Sequence, residues 1–188
     1  MSFLPGALFG GALLGEAEPE PFTTDWKSAG TGANDASVGD HSWSNPGNIT
    51  ASDNSYAQCD FSSVSTSQIL RATNFGFDTD DVPEGATILG IEVGIERTDG
   101  AGDQIFELLV RLRTSSGQTG DDKSNGDGFP SSDAEKVYGA SDDDWSAGLS
   151  DSDIRSSGFG VDFRAERQDP FNFSGQVDHI RIRVHGLA

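Results

Sequence analysis

The side chains able to do chemistry are three histidines, one cysteine and a surplus of carboxylates. His179 and His185 fall on the same strand face as Arg181 and Arg183, in a stretch of period two. Neither has a second histidine at metal-pair spacing, and His41 lies far away in sequence. A polar strand face is the ordinary role for such residues. Serine and aspartate are so common here that a Ser-His-Asp trio can always be picked out, so picking one carries no information without geometry. Asp142, Asp143 and Asp144 form a run before Trp145, and Asp121, Asp122, Asn125 and Asp127 sit among glycines and serines. An EF-hand loop needs oxygen ligands at alternate positions, and Lys123 stands where one is required. There is no phosphate-binding P-loop and no dinucleotide fingerprint. With one cysteine, Cys59, no intrachain disulfide and no multi-thiolate metal site can form; a small buried hydrophobe is its expected role. The expectation is a protein that is not an enzyme and needs no cofactor, with calcium in the acidic loops as the one cofactor left open.

The charge balance narrows the partners. Thirty-one acidic residues against 12 basic ones give a net charge of -19. The basic residues are scattered, so no patch exists to follow a phosphate backbone, and nucleic acid is not an expected partner. The acidity serves solubility through mutual repulsion, with divalent-cation binding as the sharper alternative.

The elements that must position these groups are strands. Only 34% of the residues are hydrophobic, and the 24 glycines argue for short strands and long loops. Residues 70–97, LRATNFGFDTDDVPEGATILGIEVGIER, read as two strands joined by a tight polar turn that carries Asp80, Asp81, Pro83 and Gly85. In the second strand Leu89, Ile91, Val93 and Ile95 alternate with Gly90, Glu92, Gly94 and Glu96, which places one face on a core and one in water. A third strand, Ile105 to Arg113, points Phe106, Leu108, Val110 and Leu112 inward and Glu107, Arg111 and Arg113 outward. Residues 114–133 read as an exposed polar loop. A short strand follows around Val137 and Tyr138, then a helical turn at residues 151–155 capped by Asp151 or Ser152. Strands over Phe159 to Phe163 and Val177 to His185 close the chain. The fold class is all-β: an antiparallel β-sandwich, jelly-roll-like, with the first and last strands of the domain as neighbours. Trp43 and Trp145 are expected in its core, and Trp26 is the third aromatic of this size.

Residues 1–14, MSFLPGALFGGALL, differ from the rest in being apolar, glycine-rich and uncharged. They are shorter than the ~20 residues of a membrane span. A secretory leader would carry a basic start, and the first basic residue here is Lys27. Pro5, Gly6, Gly10 and Gly11 interrupt any regular helix or strand. The expectation is an extended N-terminal tail acting as an anchor, with Phe3, Leu4, Leu8, Phe9, Leu13 and Leu14 docking into a partner. An acidic proline-containing linker follows, so that residues 1–23 form tail and linker and residues 24–188 form the sandwich.

The order of short motifs adds a resemblance. Trp43-Ser-Asn-Pro46 is followed by Ala51-Ser-Asp-Asn-Ser-Tyr56-Ala57 and Leu70-Arg-Ala-Thr-Asn-Phe-Gly-Phe77. Gly85-Ala-Thr-Ile88, Gly90-Ile-Glu-Val93 and Ile95-Glu-Arg97 come next, and later Asp144-Trp145, Gly148-Leu149, Asp153-Ile154, Ser157-Gly-Phe-Gly160 and Val177-Asp-His-Ile180. Over most of residues 40–186 this order resembles a domain that recurs in structural proteins of tailed bacteriophages and in bacterial surface and prophage proteins. The resemblance implies a jelly-roll-like sandwich in a virion protein: a head decoration, fibre or tail accessory subunit, with capsid, portal or tail proteins as partners. A homo-oligomer, a trimer by the family's usual setting, is the implied assembly, and no catalytic residues come with it. The alternative expectation is a calcium- and carbohydrate-binding module that attaches to glycans on a host surface.

Overall fold

A computed structural model describes residues 18–188. The tail residues Phe3, Leu4, Leu8, Phe9, Leu13 and Leu14 lie outside the described residues. The strands run β1 (Pro21–Thr23), β2 (Lys27–Ser28), β3 (Thr31–Asp35), β4 (Trp43–Ser44), β5 (Ala57–Phe61), β6 (Ser65–Thr66) and β7 (Ile69–Thr73). They continue as β8 (Thr87–Thr98), β9 (Phe106–Thr114), β10 (Gly117–Asp122), β11 (Ala134–Tyr138), β12 (Gly160–Arg167) and β13 (Phe173–Leu187). Among the described residues a 3-10 turn spans Pro46–Ile49, and one short α-helix, α1 (Asp151–Arg155), lies between β11 and β12. Its cap is Ser150, one residue earlier than expected: the Ser150 Oγ accepts from the Asp153 N–H while the Asp153 carboxylate accepts from the Ser150 N–H, a reciprocal capping box.

Two antiparallel sheets pack face to face. One has the order β11-β8-β13-β5-β4, the other β10-β9-β12-β7-β3. From β5 onward the chain passes back and forth between them: β5, β8, β11 and β13 lie in the first, and the pairs β6–β7 and β9–β10 and then β12 in the second. This wrapping is the jelly roll. It arises because each strand carries one apolar face, and successive strands bury that face from opposite sides of a single core. Trp43 meets Phe163 across the sandwich with ring centroids 6.1 Å apart, and Phe163 meets Phe129 at 6.0 Å. Cys59 is fully buried among them, and burial pushes its thiol up to about 12. The long strand β13 is the spine: β8 flanks one side, while β5, β2 and β1 follow one another along the other. The termini of the sandwich are therefore neighbours. Pro21–Thr23, read in sequence as the end of the linker, pair with His185–Leu187, and Glu20 and Ala188 exchange two backbone hydrogen bonds.

Several local expectations change. The stretch 70–97 is not a hairpin, because β7 and β8 lie in opposite sheets. Residues 74–86 cross the edge of the sandwich, burying Phe75, Phe77 and Val82, with Asp78 accepting the N–H groups of Asp80 and Asp81 in the turn. Leu89 is 41% exposed. The pairing moves from His185–Gly90 to Gly186–Ile88, so Leu89 is an extra residue in a bulge and leaves the core face. A second bulge falls in β9, where Arg164 pairs with Leu109 but Ala165 with Glu107. Leu108 is the extra residue, and the alternation before it inverts: Ile105 and Glu107 point inward. The polar stretch 114–133 is not a simple loop, since it holds β10, paired to β9, and the fully buried Phe129.

The outer face of the first sheet carries a charged ladder. Glu92 pairs with Arg183 and, at 2.8 Å, with His185, whose Nδ1 meets the Thr23 hydroxyl at 2.9 Å. Trp26 lies half-buried beside Arg181 and Arg183, with the guanidinium carbons 4.5 and 4.7 Å from its ring centre. Hydrogen bonding to Arg183 holds the Glu92 carboxyl below its ordinary 4.5, and bonds from Ser174 and Gln58 hold Asp60 below 3.8. Groups depressed in the folded state stabilise it above their unfolded values and lose that contribution as pH falls through the folded ones. The contribution of these two carboxylates should thus be complete above about pH 5 and decline below about 4.5, after an earlier decline below about 6.5 from His179, whose pKa burial lowers. Urea denaturation across this range checks the shape, and Glu92→Gln should make the acid decline shallower.

Candidate functional site

The acidic runs singled out in sequence serve the turns that contain them. Asp143 accepts the Trp145 N–H at 2.9 Å and pairs with Lys123, and Asp144 accepts the Ser146 N–H at 2.9 Å. Those bonds hold Trp145 and Ser146 at φ values of 60 and 51°, a left-handed turn that drives the indole fully into the core. Its Nε1 donates to the Ile91 carbonyl at 2.8 Å. Gly139, at φ 77°, has to be glycine: a Cβ there would stand 2.1 Å from that same carbonyl oxygen. Asp122 accepts from Val110 and Ser124, Asp127 pairs with Lys136, and Asn125 accepts from Lys136. Trp43 is also core, with its Nε1 donating to the Gln68 carbonyl. Trp43 and Trp145 therefore offer no exposed platform for a sugar.

A different group of carboxylates converges from three separate segments. Glu96, Asp133 and Asp178 each place an oxygen within 4.8 Å of the others. Each arrives by a different device. Glu96 stands on the outer face of β8, and Asp133 immediately precedes β11. Asp178 is the extra residue of a bulge in β13, where Val177 pairs with Arg97 and His179 with Glu96. A bulge re-aims a side chain. Here the result is a carboxylate only 1% exposed, directed at the other two. Loop 51–56 covers the group. Asn54, in a left-handed conformation at φ 61°, donates its N–H to Asp178 Oδ2 at 3.1 Å, and Tyr56 donates its hydroxyl to Asp133 Oδ2 at 3.0 Å.

The remaining oxygens are unmatched. Asp133 Oδ1 and Asp178 Oδ1 are buried without a hydrogen-bond partner among the described residues. Nearby cations are engaged elsewhere: Arg97 with Glu107, Lys136 with Glu107 and Asp127, Arg181 with Glu135. Burial pushes the Asp133 carboxyl up, against the lowering bond from Tyr56, and the charges of Glu96 and Asp178 push it further. The same surroundings push the Tyr56 phenol up to about 12, burial first. His179 borders the group with its Nε2 2.8 Å from the Ser28 hydroxyl, and burial lowers its pKa. A cavity of about 320 Å³ lined by Ser52, Glu96, Glu135, His179 and Arg181 opens beside it. All three carboxylate ligands are oxygens, a set suited to hard cations.

Sequence reading placed none of these three together. Glu96 is an outward strand residue, Asp133 ends a polar stretch and Asp178 lies inside a strand motif. Only the sheet order β11-β8-β13 makes them neighbours. No family model and no curated protein matches the chain.

A second concavity, about 410 Å³, lies on the outer face of the other sheet between Val38, Ile69, Arg71, Leu109, Asp162 and Arg164. Asp162 is fully buried beneath it, accepting from Arg71 at 2.9 Å and Gln118 at 3.0 Å, with Arg113 at 3.3 Å.

Proposed function

We propose that the protein is a non-catalytic structural subunit of a bacteriophage virion, a head decoration, fibre or tail accessory, anchored through its apolar N-terminal segment. The observation that carries the reading is the jelly-roll wrap, with strand β1 fastened beside the C-terminal end of β13. Jelly rolls recur in viral coats and in lectins, and fold alone does not choose between them. The order of motifs across residues 40–186 favours the virion. So does the contrast between an acidic domain and a charge-free apolar segment that precedes its first strand. No helix of the described residues is long and apolar enough to cross a membrane. The partners in this reading are further virion proteins and further copies of the chain.

A photo-crosslinking phenylalanine analogue placed at Phe9 in assembled particles tests the docking directly. Cross-links to a second polypeptide are expected. Cross-links confined to the chain's own sandwich would refute the anchor. A second reading, attachment to host glycans, draws on the concavity above Asp162, where apolar side chains and guanidinium groups line one cleft.

A further inference from the structure

We propose that Glu96, Asp133 and Asp178 form a calcium site that fastens loop 51–56 and the segment leading into strand β11 to the bulge in β13. The inference stands on local geometry and does not depend on the virion reading.

Three carboxylates brought together repel one another, and such a cluster persists only if a cation or a proton offsets the charge. In this fold the neighbouring arginines and lysine are paired with other acids. Asp178 is 1% exposed, and its Oδ1 has no partner among the described residues. An ionised oxygen buried in that way is strongly unfavourable unless a cation or donor meets it. Asp133 Oδ1 presents the same deficit. Two unmatched buried oxygens from separate segments of the chain, both belonging to one cluster, point to a ligand shared between them.

Ligand number and flexibility select the ion. All three ligand atoms lie within 4.8 Å of one another. Calcium bonds oxygen at about 2.3–2.6 Å and takes six to eight oxygens in flexible geometry, so it can bridge three carboxylates from three separate segments. Magnesium demands near-ideal octahedral geometry at about 2.0–2.1 Å and usually takes only one or two carboxylates beside its waters. The adjoining cavity leaves room for the water ligands that calcium needs to reach six or more oxygens. Asn54 and Tyr56 already hold the outer oxygens of Asp178 and Asp133, which orients both carboxylates as second partners of ligands do.

The test is calorimetric titration of calcium chloride into EDTA-treated, dialysed full-length protein, with thermal melts alongside. One ion per chain is expected. At calcium about one hundred-fold above the dissociation constant, the melting midpoint should rise by about 5–10 °C. Asp178→Asn and Glu96→Gln should each weaken binding at least about tenfold, and magnesium should bind at least about tenfold more weakly than calcium. Asp121→Asn, an exposed carboxylate outside the group, should leave affinity unchanged. Glu96 is only half-buried, so Glu96→Gln carries the test if Asp178→Asn does not fold. Absence of calcium-dependent heat and melting shift would overturn the proposal. So would affinity insensitive to Glu96→Gln, or affinity lost equally in Asp121→Asn, the sign of diffuse binding to an acidic surface.

Discussion

Glu107→Ala should destabilise the protein by about 3–5 kcal/mol, the range for breaking one partner out of a buried ion pair. Glu107 and Arg97 are 2 and 3% exposed and bond to each other inside the sandwich. Glu107 also accepts from Lys136 at 2.8 Å and from the Tyr138 hydroxyl at 2.7 Å. The Arg97 guanidinium lies 5.2 Å from the ring centre of Phe129 and 6.0 Å from that of Tyr138. Removing the carboxylate leaves a buried guanidinium whose Nε already lacks a partner among the described residues, and it also frees the Tyr138 hydroxyl. Desolvation without compensation is what makes the loss large. The pair itself is not the source of net stability, because burying both charges cost nearly as much as their attraction returned. Arg97→Met combined with Glu107→Leu should therefore recover most of the loss. Urea denaturation of the two variants beside the parent protein measures it. A loss below about 1 kcal/mol for Glu107→Ala would mean that water reaches the pair.

That prediction rests on a residue whose sequence pattern points the wrong way. In Ile105 to Arg113 the alternation of Phe106, Leu108, Val110 and Leu112 assigns Glu107 to solvent. The bulge at Leu108 inverts the first half of the strand, and an insertion of one residue in pairing leaves no mark on composition. Leu89 fails for the same reason, and the bulge at Asp178 that builds the carboxylate group is equally unmarked in the sequence. The long strands were legible because Ile91, Val93 and Ile95, and Ile180, Ile182 and Val184, keep strict alternation and are fully buried. The pairing of the domain's first and last strands was legible from the closing strand at the C-terminal end. Which strands share a sheet was not. β7 and β8 look like a hairpin because Asp80, Asp81, Pro83 and Gly85 are turn residues, yet the same residues serve a crossing between sheets. The carboxylate group depends on that long-range order, so local reading found only the acidic runs at 121–127 and 142–144, which the turns consume.

Deleting residues 1–17 should abolish attachment while leaving the sandwich intact. The sandwich retains Glu20, its backbone bonds to Ala188, and the pairing of β1 with β13. Its melting midpoint should therefore change by less than about 2 °C, since the strand pairing that closes the sandwich is kept. Attachment is different. The six large apolar side chains Phe3, Leu4, Leu8, Phe9, Leu13 and Leu14 would each contribute about 1.5–3 kcal/mol on full burial, before the cost of ordering the segment. Even a fraction of that sum is worth a factor of about 100 in affinity, and several copies on one particle multiply it.

Incorporation of the full-length and truncated chains into particles, compared after gradient purification, tests the anchoring most directly. The account predicts a folded truncated protein that is depleted from particles by at least about 100-fold. Truncated chain incorporated at the full-length level would contradict the anchor and move attention to the outer faces of the two sheets.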